Sequence, residues 1–230
     1  MISTILIPLV ILMKPTLSDT PYGNDPEARL AKHLFGPDGN NWLIRDFSPS
    51  GKINVTFIWT ITMVKEWHYN NRILDVVGWF GQTWKDSRLS WDPQLFNNST
   101  SFLIPETYIW KPDIQPTKLM GRVGYNLDDR HKAVTLRFDG LVIKWSSVQV
   151  PAICKKENGI RQQCSVIFKS SSYAGDKLDL VAEGANQQIV AENPCWDLSN
   201  VTCSRLEEFG ECCPEPFIHI DCIHQFEKYC

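Results

Sequence analysis

Ile53-Asn-Val-Thr-Phe-Ile-Trp-Thr-Ile-Thr-Met63 places Ile53, Val55, Phe57, Trp59, Ile61 and Met63 on one face and Asn54, Thr56, Thr60 and Thr62 on the other. A period of two with β-branched and aromatic residues predicts a strand with one side buried. Outward from it the same grammar recurs. Ile73 to Trp84 reads as a second strand. Val134–Phe138 and Leu141–Trp145 flank Asp139-Gly140, which predicts a hairpin with a two-residue turn. Ser165–Lys169, Leu178–Val181 and Phe217–Phe226 follow as further strands. Upstream, Pro26 to Phe35 has helical spacing. Asp25 is placed to cap it, Pro26 suits its first turn and Gly36 can end it, with Leu30, Leu34 and Phe35 as the buried stripe. One helix followed by many strands, with no repeat or linker, predicts a single all-β sandwich domain.

The 230 residues carry 43% hydrophobic side chains, enough for a sizeable core, and a net charge of −3. That charge lacks the basic face a nucleic-acid partner requires. The five histidines show no ligand spacing, so no metal or other cofactor is implied. No nucleophile, base and orienting group recur at a recognisable spacing, so the chain does not read as an enzyme. Ile5 to Met13 is apolar and precedes the small Ser18, which predicts a signal peptide over residues 1–18 and a mature domain over 19–230. No later segment reaches the length of a membrane span. Sequons at Asn54, Asn97, Asn98 and Asn200 and eight cysteines agree with a secreted, disulfide-bonded glycoprotein.

The cysteines are arranged as a mirror around the adjacent pair Cys212-Cys213. Seven residues separate Cys195 from Cys203 and eight separate Cys203 from Cys212; eight then lie between Cys213 and Cys222, and seven between Cys222 and Cys230. A hairpin folded at the pair would oppose Cys203 to Cys222 and Cys195 to Cys230, within disulfide reach. Other pairings, or a bulge that shifts the register, are the alternative. Cys212 and Cys213 either bond to each other, closing a strained ring, or each need a separate partner. Cys154 and Cys164 would close a polar loop turned by Asn158-Gly159.

Trp79-Phe-Gly-Gln-Thr-Trp84 with Asp86, Leu89 and Trp91, then Trp110-Lys-Pro-Asp113, Pro151-Ala-Ile with Cys154 and Cys164, and Glu211-Cys-Cys-Pro-Glu-Pro-Phe217 occur in that order. In order and spacing the chain resembles the acetylcholine-binding proteins and the extracellular ligand-binding domains of Cys-loop receptors, from the helix near Pro26 to about Phe226. The resemblance implies a ten-strand, immunoglobulin-like β-sandwich with an N-terminal helix, assembled as a ring-shaped homopentamer. It implies ligands at subunit interfaces: one subunit supplies three aromatic loops, the third with the bonded pair Cys212–Cys213, and its neighbour supplies strands. The typical ligand is a quaternary or protonated amine held by cation–π contacts.

Residue by residue, Trp79 matches the neighbour-face tryptophan, and Ile143 and Trp145 match ligand-facing strand positions on that face. Phe217 matches the tyrosine after the vicinal pair without its hydroxyl. Gly210 replaces the tyrosine before the pair, with Phe209 beside it. Thr117 stands at the tyrosine position of the first loop, and Ser171 at the central tryptophan of the second, where Tyr173 is the nearest ring. Trp84, Trp91 and Trp110 read as core. The implied cleft keeps its apolar wall on the neighbour and has a smaller, more hydroxylated principal side. Weak or absent acetylcholine binding is therefore expected, with better binding of bulkier amphiphilic molecules. The 154–164 loop lacks the apolar tip of receptor relatives, which points to a soluble secreted protein. The rival readings are the ectodomain of a channel subunit, and a structural pentamer with no small ligand.

Overall fold

The computed structural model of the chain describes residues 25–36, 51–117, 125–126, 132–185, 195–211 and 214–229. The expected signal peptide over residues 1–18, Cys212, Cys213 and Cys230 fall outside the described residues. Helix α1 spans Pro26–Phe35. The Asp25 carboxylate accepts the Ala28 N–H at 3.0 Å, and the Gly36 N–H closes the last turn on the Lys32 carbonyl at 2.9 Å. Leu30 and Leu34 are buried, and Phe35 packs half-buried at the edge of the core.

Eleven strands follow among the described residues: β1 (Ile53–His68), β2 (Ile73–Ser90), β3 (Ser101–Pro105), β4 (Ile114–Pro116), β5 (Tyr125–Asn126), β6 (Ala133–Arg137), β7 (Asp139–Lys156), β8 (Arg161–Ser170), β9 (Leu178–Ala185), β10 (Trp196–Glu208) and β11 (Phe217–Lys228). They run in the order β10-β11-β8-β7-β2-β1-β9. β6 and β5 also join β7, β3 joins β6 and β4 joins β8. Apart from the two-residue β5, ten strands wrap around one core. Pairing is antiparallel except between β1 and β9. Phe57, Trp59, Phe80 and Phe168 meet at its centre, with ring centroids 4.8 to 6.0 Å apart, in the tilted and offset contacts that aromatic pairs favour. Trp84, Trp91 and Trp110 are all buried, as their sequence context predicts.

Local irregularities reshape three sequence expectations. The alternation of β1 holds from Ile53 to Ile61, but a register shift between Ile61 and Met63 turns the strand over. Met63 is 41% exposed and Val64 takes the inward place, because an extra unpaired residue reverses which side each later side chain faces. The β6–β7 hairpin forms where Asp139-Gly140 predicts it, but with a loop of three residues: Thr135 opposes Ile143 and Leu136 opposes Val142. Gly140 has φ +80°, the left-handed position such a loop requires. Finally, Cys203 opposes Cys222 and the two are bonded, as the mirrored spacing predicts. A bulge between Leu198 and Asn200 then moves the register by one. The Tyr229 N–H thus meets the Cys195 carbonyl, at 2.9 Å. Cys195 is itself disulfide-bonded, while its expected partner Cys230 is outside the described residues.

Cys154 and Cys164 lie directly opposite each other on β7 and β8 and are bonded. Behind them His224, fully buried on β11, accepts the Trp59 Nε1–H at 2.8 Å through Nε2. Indole nitrogen only donates, so the imidazole proton sits on Nδ1, which faces the Cys164 carbonyl at 3.2 Å. Burial pushes this imidazole down to about 4, against the smaller upward pull of the Cys164 carbonyl. Among the described residues no helix is long and apolar enough to cross a membrane.

Candidate functional site

β2 and β7 build the first of two outward faces. Trp79 opposes Ser147, Gly81 opposes Trp145 and Thr83 opposes Ile143, so these six residues share one side of the sheet. Trp79 is 40% and Trp145 50% exposed, large values for rings of this size. Trp145 lies across Gly81: a Cβ there would come within 2.8 Å of the indole ring, so only glycine leaves the ring its seat. Thr60 and Ser147, the cross-strand neighbours of Trp79, are small and buried. Leu103 on β3 extends the row through Thr135 to Ile143. Beneath this face Lys144 turns inward and meets the Glu106 carboxylate at 3.1 Å, which also accepts from Lys111 at 2.5 Å. Burial alone would raise the Glu106 carboxyl, but the two ammonium groups outweigh it and hold it low. Burial pushes Lys144 down against the pull of Glu106. The buried cluster fixes β7 directly behind Trp145.

β4, β8, β10 and β11 build the second face. Leu206, His219, Lys169 and Gln115 form one cross-strand row. Thr117 follows Gln115 at the end of β4, and its N–H reaches the Ile167 carbonyl at 2.8 Å. Ser171 is exposed just beyond β8. Its N–H donates to Asp113 at 3.1 Å and its Oγ accepts from Gln115 at 3.0 Å. Asp113 also accepts from Ser170 Oγ at 2.5 Å. The Trp110-Lys-Pro-Asp113 segment therefore ties down the Ser170–Tyr173 loop through one carboxylate. Tyr173 is half-buried: its hydroxyl accepts the Trp110 Nε1–H at 3.2 Å, and the rings meet edge-on at 6.0 Å. Lys169 and Glu208 pair at 3.2 Å.

Phe217 opens β11 opposite Glu208, half-buried, whereas Phe209 is 70% exposed beside Gly210 at the hairpin tip. The residues named from the sequence thus fall into two sets on different strand groups. Trp79, Ile143 and Trp145 make the first; Thr117, Ser171, Phe217 and, at the tip, Phe209 make the second. Sequence reasoning gave no role to Asp113, Gly81, Lys169, Gln115 or His219. A glycine two positions after an exposed tryptophan is the only local signal that could have flagged Gly81. Glu66, His68 and Asp75 bring three ligand atoms within 4.8 Å of one another at the end of the β1–β2 hairpin. His68 already bonds Asp75 at 3.2 Å and Glu66 is exposed, so the group reads as a hydrogen-bonded surface cluster.

The family model for the neurotransmitter-gated ion-channel ligand binding domain matches residues 27–227. Similar curated proteins include the neuronal acetylcholine receptor subunit alpha-9 of Rattus norvegicus, 30% identical over 72% of this chain and 35% of its own length. The acetylcholine receptor subunit alpha-type acr-16 of Caenorhabditis elegans is 29% identical over 94% of this chain and 43% of its own. The neuronal acetylcholine receptor subunit alpha-4 of Gallus gallus is 32% identical over 87% of this chain and 32% of its own. The chain thus spans less than half the length of these relatives. With its N-terminal helix, wrapped β-sheet and bonded Cys154–Cys164 and Cys203–Cys222, it belongs to the neurotransmitter-gated ion-channel ligand-binding domain family.

Proposed function

We propose that this domain is a secreted, soluble binding protein that assembles as a homopentamer and takes a bulky, partly apolar amine or amphiphile between neighbouring subunits. The observation that carries the reading is the division of the site residues between two outward faces. Trp79 and Trp145 stay exposed on one, while Thr117, Ser171 and Phe217 lie on the other. Neither face is a site alone; one subunit's tryptophans complete the hydroxylated face of the next. A compact cation such as acetylcholine would find hydroxyls where a ring platform is needed, so its affinity is low. Larger ligands fill the space and cover the indoles. Light scattering should give a pentamer at micromolar concentration, and a monomer would sink the proposal. Calorimetry against amines and amphiphiles then tests the ligand: submicromolar acetylcholine affinity would contradict the altered cleft.

A specific observation favours a second reading. The similar proteins are named as receptor subunits and are longer than this chain, so the domain would be the extracellular part of a channel subunit. Against this stands the 154–164 loop, polar apart from the half-exposed Ile160. A full-length transcript with apolar membrane helices after residue 230 would decide for the channel; secreted protein whose mass ends there would decide for the soluble form.

A further inference from the structure

At the end of the molecule that carries the β1–β2 turn, three rings surround an ammonium group. The Lys228 Nζ lies 4.3 Å from the Tyr69 ring centroid, 5.2 Å from that of Trp67 and 5.6 Å from that of Trp196. It also donates to the Tyr69 hydroxyl at 3.1 Å. Trp67 and Trp196 stand 5.2 Å apart, and Tyr69 meets Trp67 edge-on at 6.1 Å. Among the described residues no carboxylate pairs with Lys228; the adjacent Glu227 is taken by Arg161 and Tyr229. A cation held by ring faces without a counter-charge is the arrangement by which proteins bind alkylammonium groups.

The cage is assembled from distant parts. Trp67 lies one residue before the end of β1, Tyr69 sits in the turn to β2, Trp196 begins β10 and Lys228 ends β11 directly opposite Trp196. β1–β2 and β10–β11 are not neighbours in the sheet order. Hydrogen bonds from the Lys228 N–H to the Ile160 carbonyl and from the Tyr229 N–H to the Cys195 carbonyl hold the strand end in place, at 2.8 and 2.9 Å. Those bonds tie β11 to its own side of the molecule. The Lys228 ammonium reaches across to Tyr69 in the β1–β2 turn, while the Trp196 ring meets Trp67 beside it.

We propose that Trp67, Tyr69 and Trp196 form an organic-ammonium site that Lys228 fills from within, latching the end of β11 to the β1–β2 turn. Removing the charge empties the cage, frees the turn and opens the site to a small alkylammonium ion. The site is separate from the Trp79 and Trp145 face and does not depend on the proposed ligand there.

The test compares the full chain with Lys228→Gln, Lys228→Arg and Lys228→Gln combined with Tyr69→Leu. Amide exchange over residues 67–73 should quicken by about 2- to 30-fold in Lys228→Gln, the range an exposed to desolvated cation–π contact supports, and stay near wild type in Lys228→Arg. Tetramethylammonium should slow exchange there again in Lys228→Gln, with no such effect in the Tyr69→Leu double variant. The difference between these two variants removes any binding at the interface face. Unchanged exchange in Lys228→Gln would overturn the latch. Equal protection by tetramethylammonium with and without Tyr69 would overturn the site.

Discussion

The two outward faces are built from one continuous sheet, yet they hold their side chains by different means. On the β2–β7 face the rings themselves are seated: Trp145 depends on the missing Cβ of Gly81, and Trp79 stands between two small buried neighbours. On the β4–β8–β11 face the backbone is seated instead. Asp113 holds Ser171 by its N–H, and the Ser171 hydroxyl accepts from the Gln115 side-chain amide. A position held by its main chain is free to change its side chain with little effect on the fold. That is the face on which the resemblance sets Thr117, Ser171 and Gly210 where aromatic residues are expected. Ligand chemistry has room to drift where the backbone carries the load, and resists where a ring is fitted into the sheet.

The strongest way to separate the faces is to cut the Cys203–Cys222 bond. Replacing both cysteines by serine should cost about 3 to 5 kcal/mol of stability in chemical denaturation, within the range for native disulfides. Amide exchange should quicken along β10 and β11 while the Trp79 and Trp145 rows stay protected. Equal loosening of both faces would mean that the hairpin and the β2–β7 region unfold as one unit.

Acid should act on both faces at once. His224 on β11 is bonded to Trp59 on β1, across the core that backs them. Its folded pKa of about 4 lies below the unfolded 6.5, so the unfolded chain binds the extra proton between those values. Stability is therefore full above pH 6.5 and falls as pH drops toward 4, by roughly 3 kcal/mol from this group. His224→Gln keeps an acceptor for Trp59 and should flatten that slope. An NMR titration placing His224 near its usual value would refute the account.

The rings set the next effect. Trp79→Ala with Trp145→Ala should weaken a bound amphiphilic amine by roughly 5-fold to several hundredfold, since each cation–π platform contributes about 0.5–2 kcal/mol. Thr117→Ala with Ser171→Ala should change it less than about twofold, as exposed hydroxyls contribute little net hydrogen-bond energy. Calorimetry that ranks the pairs the other way would invert the comparison. The smallest effect sharpens it: Ser171→Trp should raise small-amine affinity by about 2- to 30-fold by restoring one platform, with unchanged thermal stability.

Patterns confined to one strand or one hairpin were legible in the sequence. The inward run from Ile53 to Ile61 needs only the pleat, and the Cys203–Cys222 bond needs only two strands in register. Both readings stop at a bulge, after Ile61 and at Ser199, because an extra unpaired residue leaves no mark in a two-residue period. Trp79 and Trp145 were legible as positions, through resemblance, but the seat at Gly81 depends on cross-strand register. His224 was silent because its partner Trp59 is 165 residues away. The Lys228 cage was silent for the same reason, drawing on three separate segments. Asp113 stood inside a recognised motif, yet its task appears only when the Ser170–Tyr173 loop folds against it.

The parallel pairing of β1 with β9 has a consequence for how the chain acquires its structure. Ile53 lies opposite Leu178, far along the chain, whereas β10 and β11 meet across a short hairpin. Bringing distant segments together carries a loop-closure entropy that grows with the length between them, and contacts of high sequence separation slow folding. The β10–β11 hairpin can therefore organise first, and β1 waits for β9 to be made. During that interval β1 presents an unsatisfied, strongly apolar edge, the kind that recruits other chains. Pulse-labelled exchange during refolding should find β10–β11 protected before β9, and a chain released before β9 is complete should be prone to aggregate through β1.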